Sequence, residues 1–231
     1  MNKKVVVISL GGSLIIPNEI NYKFLKNFKE TIKKNSKNYK FVIVCGGGKT
    51  ARNYINGLKN ENIKRKELFQ SLLGISSTRL NARFMTYFFG EDTNKEIPHD
   101  MGRVKNLLDK HNVVFCGALR YAKKETSDAT AAKLANYFNS PFINLTDVAG
   151  LYSKDPTKNK NAKLIPKINW KEFQKMANKS KFTPGQHFVL DQDASNIIRK
   201  YKIQTYIIGQ DLIELENILN NKKFIGTIIS R

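Results

Sequence analysis

Glycine and small polar residues directly follow three apolar runs of the sequence. Gly11, Gly12 and Ser13 come after the first run, three consecutive glycines begin at Gly46 after the second, and Gly117 follows a later one. Glycine lets backbone N–H groups approach a phosphate closely, and the start of a following helix adds about half a positive charge. The carboxyl ends of parallel strands share one edge of a sheet, where ligands bind. We therefore expect the three loops to converge on a phosphate site.

Two common phosphate-binding motifs can be tested against the second loop. A Walker A loop needs a glycine five positions before Gly48, and that position is Ile43, inside the apolar run. Gly46, Gly48 and Ala51 satisfy the looser G-x-G-x-x-G/A dinucleotide pattern. However, Glu67, which has the right distance to bind the ribose, lies in a helical pattern rather than at a strand end. The P-loop hypothesis fails and the Rossmann hypothesis is weak.

The apolar pattern predicts the elements that position these loops. Five short runs rich in β-branched residues are typical of strands buried on both faces: residues 4–10, 41–45, 113–116, 142–145 and 203–208. Seven helical patterns lie between and after them: residues 22–34, 50–58, 68–89, 101–110, 128–138, 170–177 and 191–200. This alternation predicts an α/β fold, a three-layer α/β/α sandwich with a mostly parallel central sheet.

The chain length of 231 residues fits one domain covering residues 1–231. We expect the site to fall between an amino-terminal lobe of about residues 1–140 and a carboxyl-terminal lobe of about residues 141–231. The polar stretch 155–163 predicts a surface excursion, and residues 179–186 predict another loop.

The chain has a formal net charge of +21, from 40 Lys and Arg against 19 Asp and Glu. Its lysines are spread through every segment instead of forming one basic tract with interleaved aromatic residues, so nucleic acid is not the expected partner. The positive field should instead attract small phosphorylated substrates.

Other classes are excluded by what the sequence lacks. No apolar run approaches the roughly 18 residues of a membrane span and no signal-peptide pattern opens the chain, so we expect a cytoplasmic protein. Cys45 and Cys116 are too few for a disulfide framework and lack zinc-site spacing. His99, His111 and His187 share no spacing with a carboxylate or cysteine, so we predict no metal held by protein ligands.

Four motifs in sequence order resemble the amino-acid kinase superfamily, and most of all its archaeal-type uridylate (UMP) kinases. They are Gly11-Gly12-Ser13, residues 46–52 (GGGKTAR), Thr126-Ser127-Asp128-Ala129, and residues 146–152 (TDVAGLY) leading to Asp155-Pro156. The resemblance runs from residue 4 to about 168 and returns at residues 203–209 and 226–229. It implies transfer of the γ-phosphoryl group of ATP, with Mg²⁺, to UMP, in a homo-oligomer, usually a hexamer built from dimers.

The resemblance also implies residue roles. It places ATP contacts at Gly11, Gly12, Ser13, Gly48, Arg52, Thr146, Tyr152 and Asp155, and UMP contacts at Gly47, Ser71, Arg120, Thr126 and Ser127. Asp128 matches the carboxylate that orients the cationic groups around the phosphoryl group. Each has a structural alternative: Ser127 and Asp128 fit a helix N-cap and first-turn acid, Tyr152 fits a packed loop residue, and Asp155 before Pro156 fits a turn.

The sequence departs from the superfamily pattern at several positions. Ser9 stands where most members have a catalytic lysine, which leaves Lys49 as the nearest candidate for the catalytic cation. Asn196 replaces another lysine, Ala149 replaces an aspartate, and Ser71 replaces the aspartate that binds the UMP ribose. The ATP half of the pattern is therefore better preserved than the UMP half.

The acceptor loop, residues 118–125, is about two residues longer than usual and carries Arg120, Lys123 and Lys124. Three alternatives to a uridylate kinase therefore remain. The first is a related kinase acting on another small phosphate or carboxylate, and the second is a non-catalytic nucleotide-binding or storage homologue. The third is an RNA-binding protein that uses the positive charge.

Overall fold

A seven-stranded sheet runs through the part of the chain that the computed structural model describes, residues 3–121, 126–179 and 189–231. Its strands are β1 (Lys4–Leu10), β2 (Tyr39–Cys45), β3 (Val113–Cys116), β4 (Phe142–Leu145), β5 (Lys167–Asn169), β6 (Thr205–Ile208) and β7 (Thr227–Ser230). Their order across the sheet is β3-β2-β1-β4-β6-β7-β5, and every neighbouring pair is parallel except β6 and β7. The predicted α/β fold with a mostly parallel sheet is confirmed.

Helices cover both faces of this sheet. They are α1 (Gly12–Ile15), α2 (Tyr22–Asn35), α3 (Gly48–Gly57), α4 (Lys66–Phe89), α5 (Met101–Lys110), α6 (Ser127–Tyr137), α7 (Trp170–Lys179), α8 (Gln192–Tyr201) and α9 (Leu212–Leu219). Residues of α2, α4 and α9 pack in the core on one face, and residues of α5, α6, α7 and α8 pack in the core on the other. Among the helices of the described ranges, none has the length and apolar character needed to cross a bilayer.

The side chains of β1 alternate between the two cores. Val6, Ile8 and Leu10 belong to the core that includes α2 and α4, whereas Val7 belongs to the core that includes α6. Because both faces are covered, the strand is apolar almost throughout. Its one buried polar residue, Ser9, is 1% exposed and faces α6, where it finds a hydrogen-bond partner.

Five strands end at the same edge of the sheet. Leu10 pairs in register with Cys45 of β2 and with Leu145 of β4, and Leu145 pairs with Ile208 of β6. The antiparallel strand β7 begins at this edge, because Thr227 pairs with Ile207. The loops that follow β1, β2, β3, β4 and β6 are therefore brought to one side of the molecule.

Four elements were not predicted from the sequence: α1, β5, α9 and β7. Helix α3 begins two residues before its predicted start at 50, and β6 begins at Thr205 rather than at 203. Residues 155–163 form turns without a helix or strand, as predicted. Most of the predicted loop at 179–186 lies outside the described residues.

Candidate active site

The glycine loops after β1 and β2 contact each other backbone to backbone. A Cβ atom added to Gly12 would lie 2.0 Å from the nitrogen of Gly48, and one added to Gly46 would lie 2.4 Å from the nitrogen of Gly12. Gly48 also has a φ of 61°, in the left-handed region that side chains disfavour. Glycine is therefore required for this approach, and the predicted convergence of these two loops is present.

Four amide groups of the two loops have no hydrogen-bond acceptor in the described part of the chain, those of Gly12, Ser13, Gly47 and Gly48. The next amide, of Lys49, donates to the Ile16 carbonyl oxygen at 3.0 Å and thereby ties α3 to the end of α1. Successive amides that are free of protein acceptors can bind the oxygens of an anion. The two loops have the properties of a phosphate-binding cradle.

A cleft of about 540 Å³ opens beside Ser13 and extends over the loop after β4. It is lined by five of the eight residues predicted to contact ATP: Ser13, Arg52, Thr146, Tyr152 and Asp155. These residues come from α1, α3 and the segment after β4, which are separated in sequence and joined only by the shared sheet edge. Val148, Leu151 and Met176 add apolar surface to the same cleft.

Thr227 at the start of β7 anchors the loop that forms this cleft. Its hydroxyl accepts a hydrogen bond from the Leu151 amide at 2.8 Å and donates one to the Ile165 carbonyl at 2.6 Å. Gly150 packs directly against it, since a Cβ on Gly150 would lie 2.7 Å from the Thr227 hydroxyl oxygen. One buried hydroxyl therefore fixes both ends of the excursion between β4 and β5.

Tyr152 and Asp155 lie on this anchored loop. Tyr152 forms an isolated antiparallel bridge with Leu164 and is partly buried. Asp155 accepts hydrogen bonds from the Thr157 amide at 2.9 Å and from the Thr157 hydroxyl at 2.6 Å. The turn that the Asp155-Pro156 pair suggested is present, and the same carboxylate faces the cleft.

Asp128 lies in the first turn of α6 and is held from the sheet. The Ser9 hydroxyl donates to its Oδ1 atom at 2.7 Å, so the carboxylate is fixed beside β1, two residues before Gly11. Burial and, to a lesser extent, the neighbouring Asp191 carboxylate raise the pKa of Asp128 to about 7, and the Ser9 hydrogen bond opposes both. Among the described residues, no cation lowers the pKa of this carboxylate.

The N-cap of α6 is Thr126, one residue before the expected Ser127. The Thr126 hydroxyl accepts a hydrogen bond from the Ala129 amide at 3.1 Å and donates its own proton to Asp191 Oδ2. Asp191 is the N-cap of α8, where its Oδ1 accepts from the Ala194 amide at 2.8 Å. Burial raises the pKa of Asp191 as well, against the hydrogen bond from Thr126. The sequence analysis missed Asp191, whose only signal was a helix-capping aspartate.

Three other predicted residues, Arg120, Ser71 and Lys49, are not among those that line the cleft. Arg120 is exposed and lines a separate pocket of about 360 Å³ with the start of α5 and with Thr130 and Lys133 of α6. Ser71 is partly exposed on α4 and donates its hydroxyl proton to the Glu67 carbonyl at 2.8 Å. The Lys49 side chain is partly buried and has no partner in the described ranges. Lys123 and Lys124 lie outside the described residues.

Helix α4 supports the glycine loops through polar residues that the sequence analysis did not single out. Asn81 donates to the Gly46 carbonyl at 2.7 Å, and the Thr78 hydroxyl accepts from the Ala118 amide at 3.0 Å. Arg79 donates to the Ala118 carbonyl at 3.0 Å and also to the Leu119 carbonyl. The signal was the polar run 76–79 (SSTR) inside an otherwise apolar helical pattern.

A parallel sheet that presents free amides and a deep cleft at its carboxyl edge is the arrangement of an α/β enzyme that binds phosphate groups. The particular family follows from comparison with known proteins. The chain belongs to the amino acid kinase family, whose model matches residues 4–209.

The similar proteins include relatives that cover nearly the whole chain. A uridylate kinase of Pyrococcus abyssi is 32% identical over 219 residues, which are 94% of this chain and 96% of that relative. The crystal structure of uridylate kinase from Archaeoglobus fulgidus has a TM-score of 0.83 and 31% identity, covering 97% of this chain and 99% of that one. The UMP kinase structure from Ureaplasma parvum has a TM-score of 0.77 at 20% identity and shows the shared fold.

Proposed function

We propose that this chain is a uridylate kinase, which transfers the γ-phosphoryl group of ATP to UMP and releases UDP and ADP. The observation that carries the proposal is the backbone contact between the two glycine loops beside the cleft, in a chain that uridylate kinases match almost end to end. Phosphoryl transfer needs little covalent chemistry from the protein, so alignment of donor and acceptor and screening of their charge supply most of the catalysis.

ATP is the proposed donor, and the 540 Å³ cleft is its proposed site. The amides of Gly12, Ser13 and Gly48 would hold its phosphates, with Gly11 setting the turn and the exposed Arg52 guanidinium adding positive charge. Thr146, Tyr152 and Asp155 would contact the adenosine, because an aromatic face suits a purine and a carboxylate suits ribose hydroxyls. The anchoring of their loop by Thr227 supports this assignment.

Mg²⁺ is expected to enter with ATP. Within residues 3–121, 126–179 and 189–231, no cluster of three or more His, Cys, Asp or Glu side chains could hold a metal ion. This fits Mg²⁺, which is commonly bound by one or two carboxylates together with substrate phosphates. When bound, the ion would supply charge screening between the phosphates.

UMP is the proposed acceptor, with Gly47, Ser71, Arg120, Thr126 and Ser127 as its proposed contacts. Gly47 belongs to the loop after β2, and the first turn of α6 is held beside the end of β1 by the bond between Ser9 and Asp128, which favours a phosphate position near the ends of these two strands. Arg120 lines a separate pocket on the α5 side, so an acceptor that it contacts would extend toward α5. Ser71 can offer the ribose a neutral hydroxyl only after giving up its bond to Glu67.

Lys49 and Asp128 are the proposed catalytic pair. Lys49 follows the glycine loop and its ammonium has no partner among the described residues, so it is available to bind the transferred phosphoryl group. Asp128 would orient the cations around that group when it is deprotonated. Charge stabilisation of this kind commonly accounts for about 10²-fold or more in rate.

An assay of ADP release with ATP, Mg²⁺ and five separate acceptors tests the function: UMP, CMP, AMP, isopentenyl phosphate and acetylglutamate. We expect UMP to give the highest kcat/KM. A preference for another acceptor would identify a different kinase of the family. ATP binding without turnover of any acceptor would favour a non-catalytic nucleotide-binding protein.

The enzyme is proposed to act in pyrimidine nucleotide synthesis as a hexamer built from dimers. A stripe along the solvent face of α4 supports an oligomer: Phe69, Leu72, Leu80 and Tyr87 follow helical spacing and are 41%, 42%, 59% and 71% exposed. Large apolar side chains that share one exposed face commonly mark a protein interface. Within one chain, the proposed donor-binding and acceptor-binding lobes share a single sheet.

A further inference from the structure

The Thr126 hydroxyl has one proton, and it donates that proton in a hydrogen bond to Asp191. A threonine hydroxyl can donate one hydrogen bond and accept two. Here it donates to Asp191 Oδ2 and accepts from the Ala129 amide. The hydroxyl therefore cannot donate to a substrate phosphate while it remains bound to Asp191. The orientation of this N-cap is set from outside its own helix, by a residue of α8.

Asp191 is itself held in place. Its second carboxylate oxygen accepts from the Ala194 amide at 2.8 Å and caps α8. Helix α8 packs against both α6 and α7, and its residues Ala194 and Ile198 are fully buried. Because one oxygen is fixed to α8 and the other to Thr126, the carboxylate connects the starts of two helices.

The first turn of α6 is thus fixed from two directions. Ser9 of β1 donates a hydrogen bond to Asp128. Asp191, the N-cap of α8, accepts one from Thr126, which precedes Asp128 by two residues. Helix α8 follows the proposed donor-binding loop in sequence, whereas α6 carries the proposed acceptor contacts. The link therefore joins the two halves of the site.

We propose that Asp191 is a positioning residue for phosphoryl transfer, because its bond to Thr126 aims the first turn of α6, and with it Asp128, at the reacting phosphates. The proposal rests on the proposed kinase function. Both carboxylate oxygens of Asp191 already accept hydrogen bonds from the protein, so Asp191 is assigned no substrate contact. Displacement of a catalytic group by on the order of 1 Å can lower a rate by about 10²-fold.

The ionisable groups around Asp128 allow the effect of Asp191 to be measured through the pKa of Asp128. Among the elements packed against α6, α8 contributes Asp191 with Asp193 behind it, and β1 contributes only the Ser9 hydroxyl. The carboxyl-terminal halves of β2 and β4 contribute no carboxylate or amine. The negative charge of Asp191 raises the pKa of Asp128. Removing that charge should lower this pKa.

The test uses two variants that preserve the helix cap, because serine and asparagine cap helices about as well as aspartate. Asp191→Ser is too short to reach Thr126, and Asp191→Asn keeps the shape but removes the charge. We expect kcat for UMP phosphorylation to fall about 10-fold or more in both, with the KM for ATP within about twofold of the unchanged enzyme. In Asp191→Asn the acidic limb of the kcat profile should also move to lower pH.

Asp211→Asn is the matched control, since Asp211 caps α9 by accepting from the Ile213 amide at 3.0 Å. It should change thermal stability only. If the Asp191 variants change only stability, as Asp211→Asn does, the positioning role is wrong. An NMR titration of the Asp128 carboxyl carbon gives a readout that does not need activity: its pKa should fall in Asp191→Asn, and an unchanged value would overturn the proposal. Absence of UMP turnover by the unchanged enzyme would instead refute the kinase function.

Discussion

Ser9 places a hydroxyl group beside Asp128, at a position where the superfamily usually has a lysine. The hydrogen bond it donates holds the carboxylate at 2.7 Å but supplies no positive charge. Charge neutralisation must therefore come from another residue or from the substrate complex. Lys49 is the candidate that follows from its place after the glycine loop.

Lys49→Ala should lower kcat by about 10²-fold or more, because it removes a charge that acts on the transferred group. Thermal stability should change little, since the ammonium has no partner among the described residues. Steady-state kinetics with ATP and UMP provide the measurement. Lys26→Ala, on the exposed side of α2, is the control. A Lys49→Ala enzyme within about threefold of the original kcat would show that the cation lies elsewhere.

Ser71→Asp should lower the KM for UMP by about fivefold and leave the KM for ATP unchanged. Hydrogen bonds to a charged partner contribute about 1.5–3 kcal/mol, whereas neutral ones contribute about 0.5–1.5 kcal/mol. The new carboxylate would stand one turn from Glu67, which should reduce the gain by about 0.2–0.5 kcal/mol. Ser71→Asn is the neutral control. Weaker UMP binding by Ser71→Asp would mean that the acceptor lies elsewhere or is not UMP.

Asp128→Asn should abolish turnover yet increase stability at alkaline pH. Because the pKa of Asp128 is raised to about 7, the folded state binds its proton more tightly than the unfolded chain does. The stability from this group is fully present below pH 4 and is lost as the pH rises through 7. The asparagine variant, which cannot ionise, should gain on the order of 2 kcal/mol of unfolding free energy at pH 8.

Urea unfolding at pH 5 and pH 8 measures this difference. The gain in Asp128→Asn should shrink toward pH 5, and Asp109→Asn on the exposed side of α5 should show no such trend. A loss of stability at pH 8 would contradict the assigned direction of the pKa shift.

Strand β7 supports the proposed nucleotide site through the hydroxyl of its first residue, Thr227. Thr227→Val keeps the shape but leaves the Leu151 amide and the Ile165 carbonyl without their partner. We expect a loss of about 1–3 kcal/mol of unfolding free energy and a several-fold higher KM for ATP. Thr205→Val in the neighbouring strand removes a buried hydroxyl whose one partner among the described residues is the Ile203 carbonyl, so it should cost stability without changing the KM. An unchanged KM for ATP in Thr227→Val would show that the loop held by Thr227 does not contribute to ATP binding.

The strands that the sequence predicted best are buried along most or all of their length. Residues 4–10, 113–116 and 142–145 match β1, β3 and β4 completely, because the last five residues of β1 and every residue of β3 and β4 are buried. Strand β5 has one buried residue, Ile168, within three, so it carries no periodic signal. Helix α1 has only four residues, too few for a helical pattern.

The site could be predicted only as far as its motifs extend along the chain. The glycine loops and the segment 146–155 carry local signals, and they meet at one edge because parallel strands end there. The bond between Thr126 and Asp191 joins residues far apart in sequence, and nothing local distinguishes Asp191 from an ordinary helix cap. The sheet order, with β7 between β6 and β5, antiparallel to β6 and parallel to β5, has no local signal either.

At the scale of the molecule, the charge of +21 and the apolar stripe on α4 affect how the protein interacts with other molecules. The field should raise the local concentration of nucleotides, an effect that salt screens. The stripe should be covered by a second copy of the chain.

Leu80→Glu should dissociate the proposed oligomer, because it would put a charge in the middle of the proposed apolar contact. Sedimentation velocity measures the change, with Lys105→Glu on the exposed side of α5 as the control. We expect a smaller species for Leu80→Glu alone. An unchanged sedimentation coefficient would mean that subunits associate through another surface.

The place of β7 in the sheet affects the order in which the protein can be assembled. A nascent chain leaves the ribosome amino end first, and β1, β2 and β3 can pair before any later strand is made. The loop after β4 is made later, and it lacks its Thr227 anchor until that residue emerges, 76 residues after Leu151. The glycine loops can therefore meet early in translation, whereas the wall of the cleft closes only when β7 has been made. A growing polypeptide thus has its phosphate cradle before it can enclose a nucleoside.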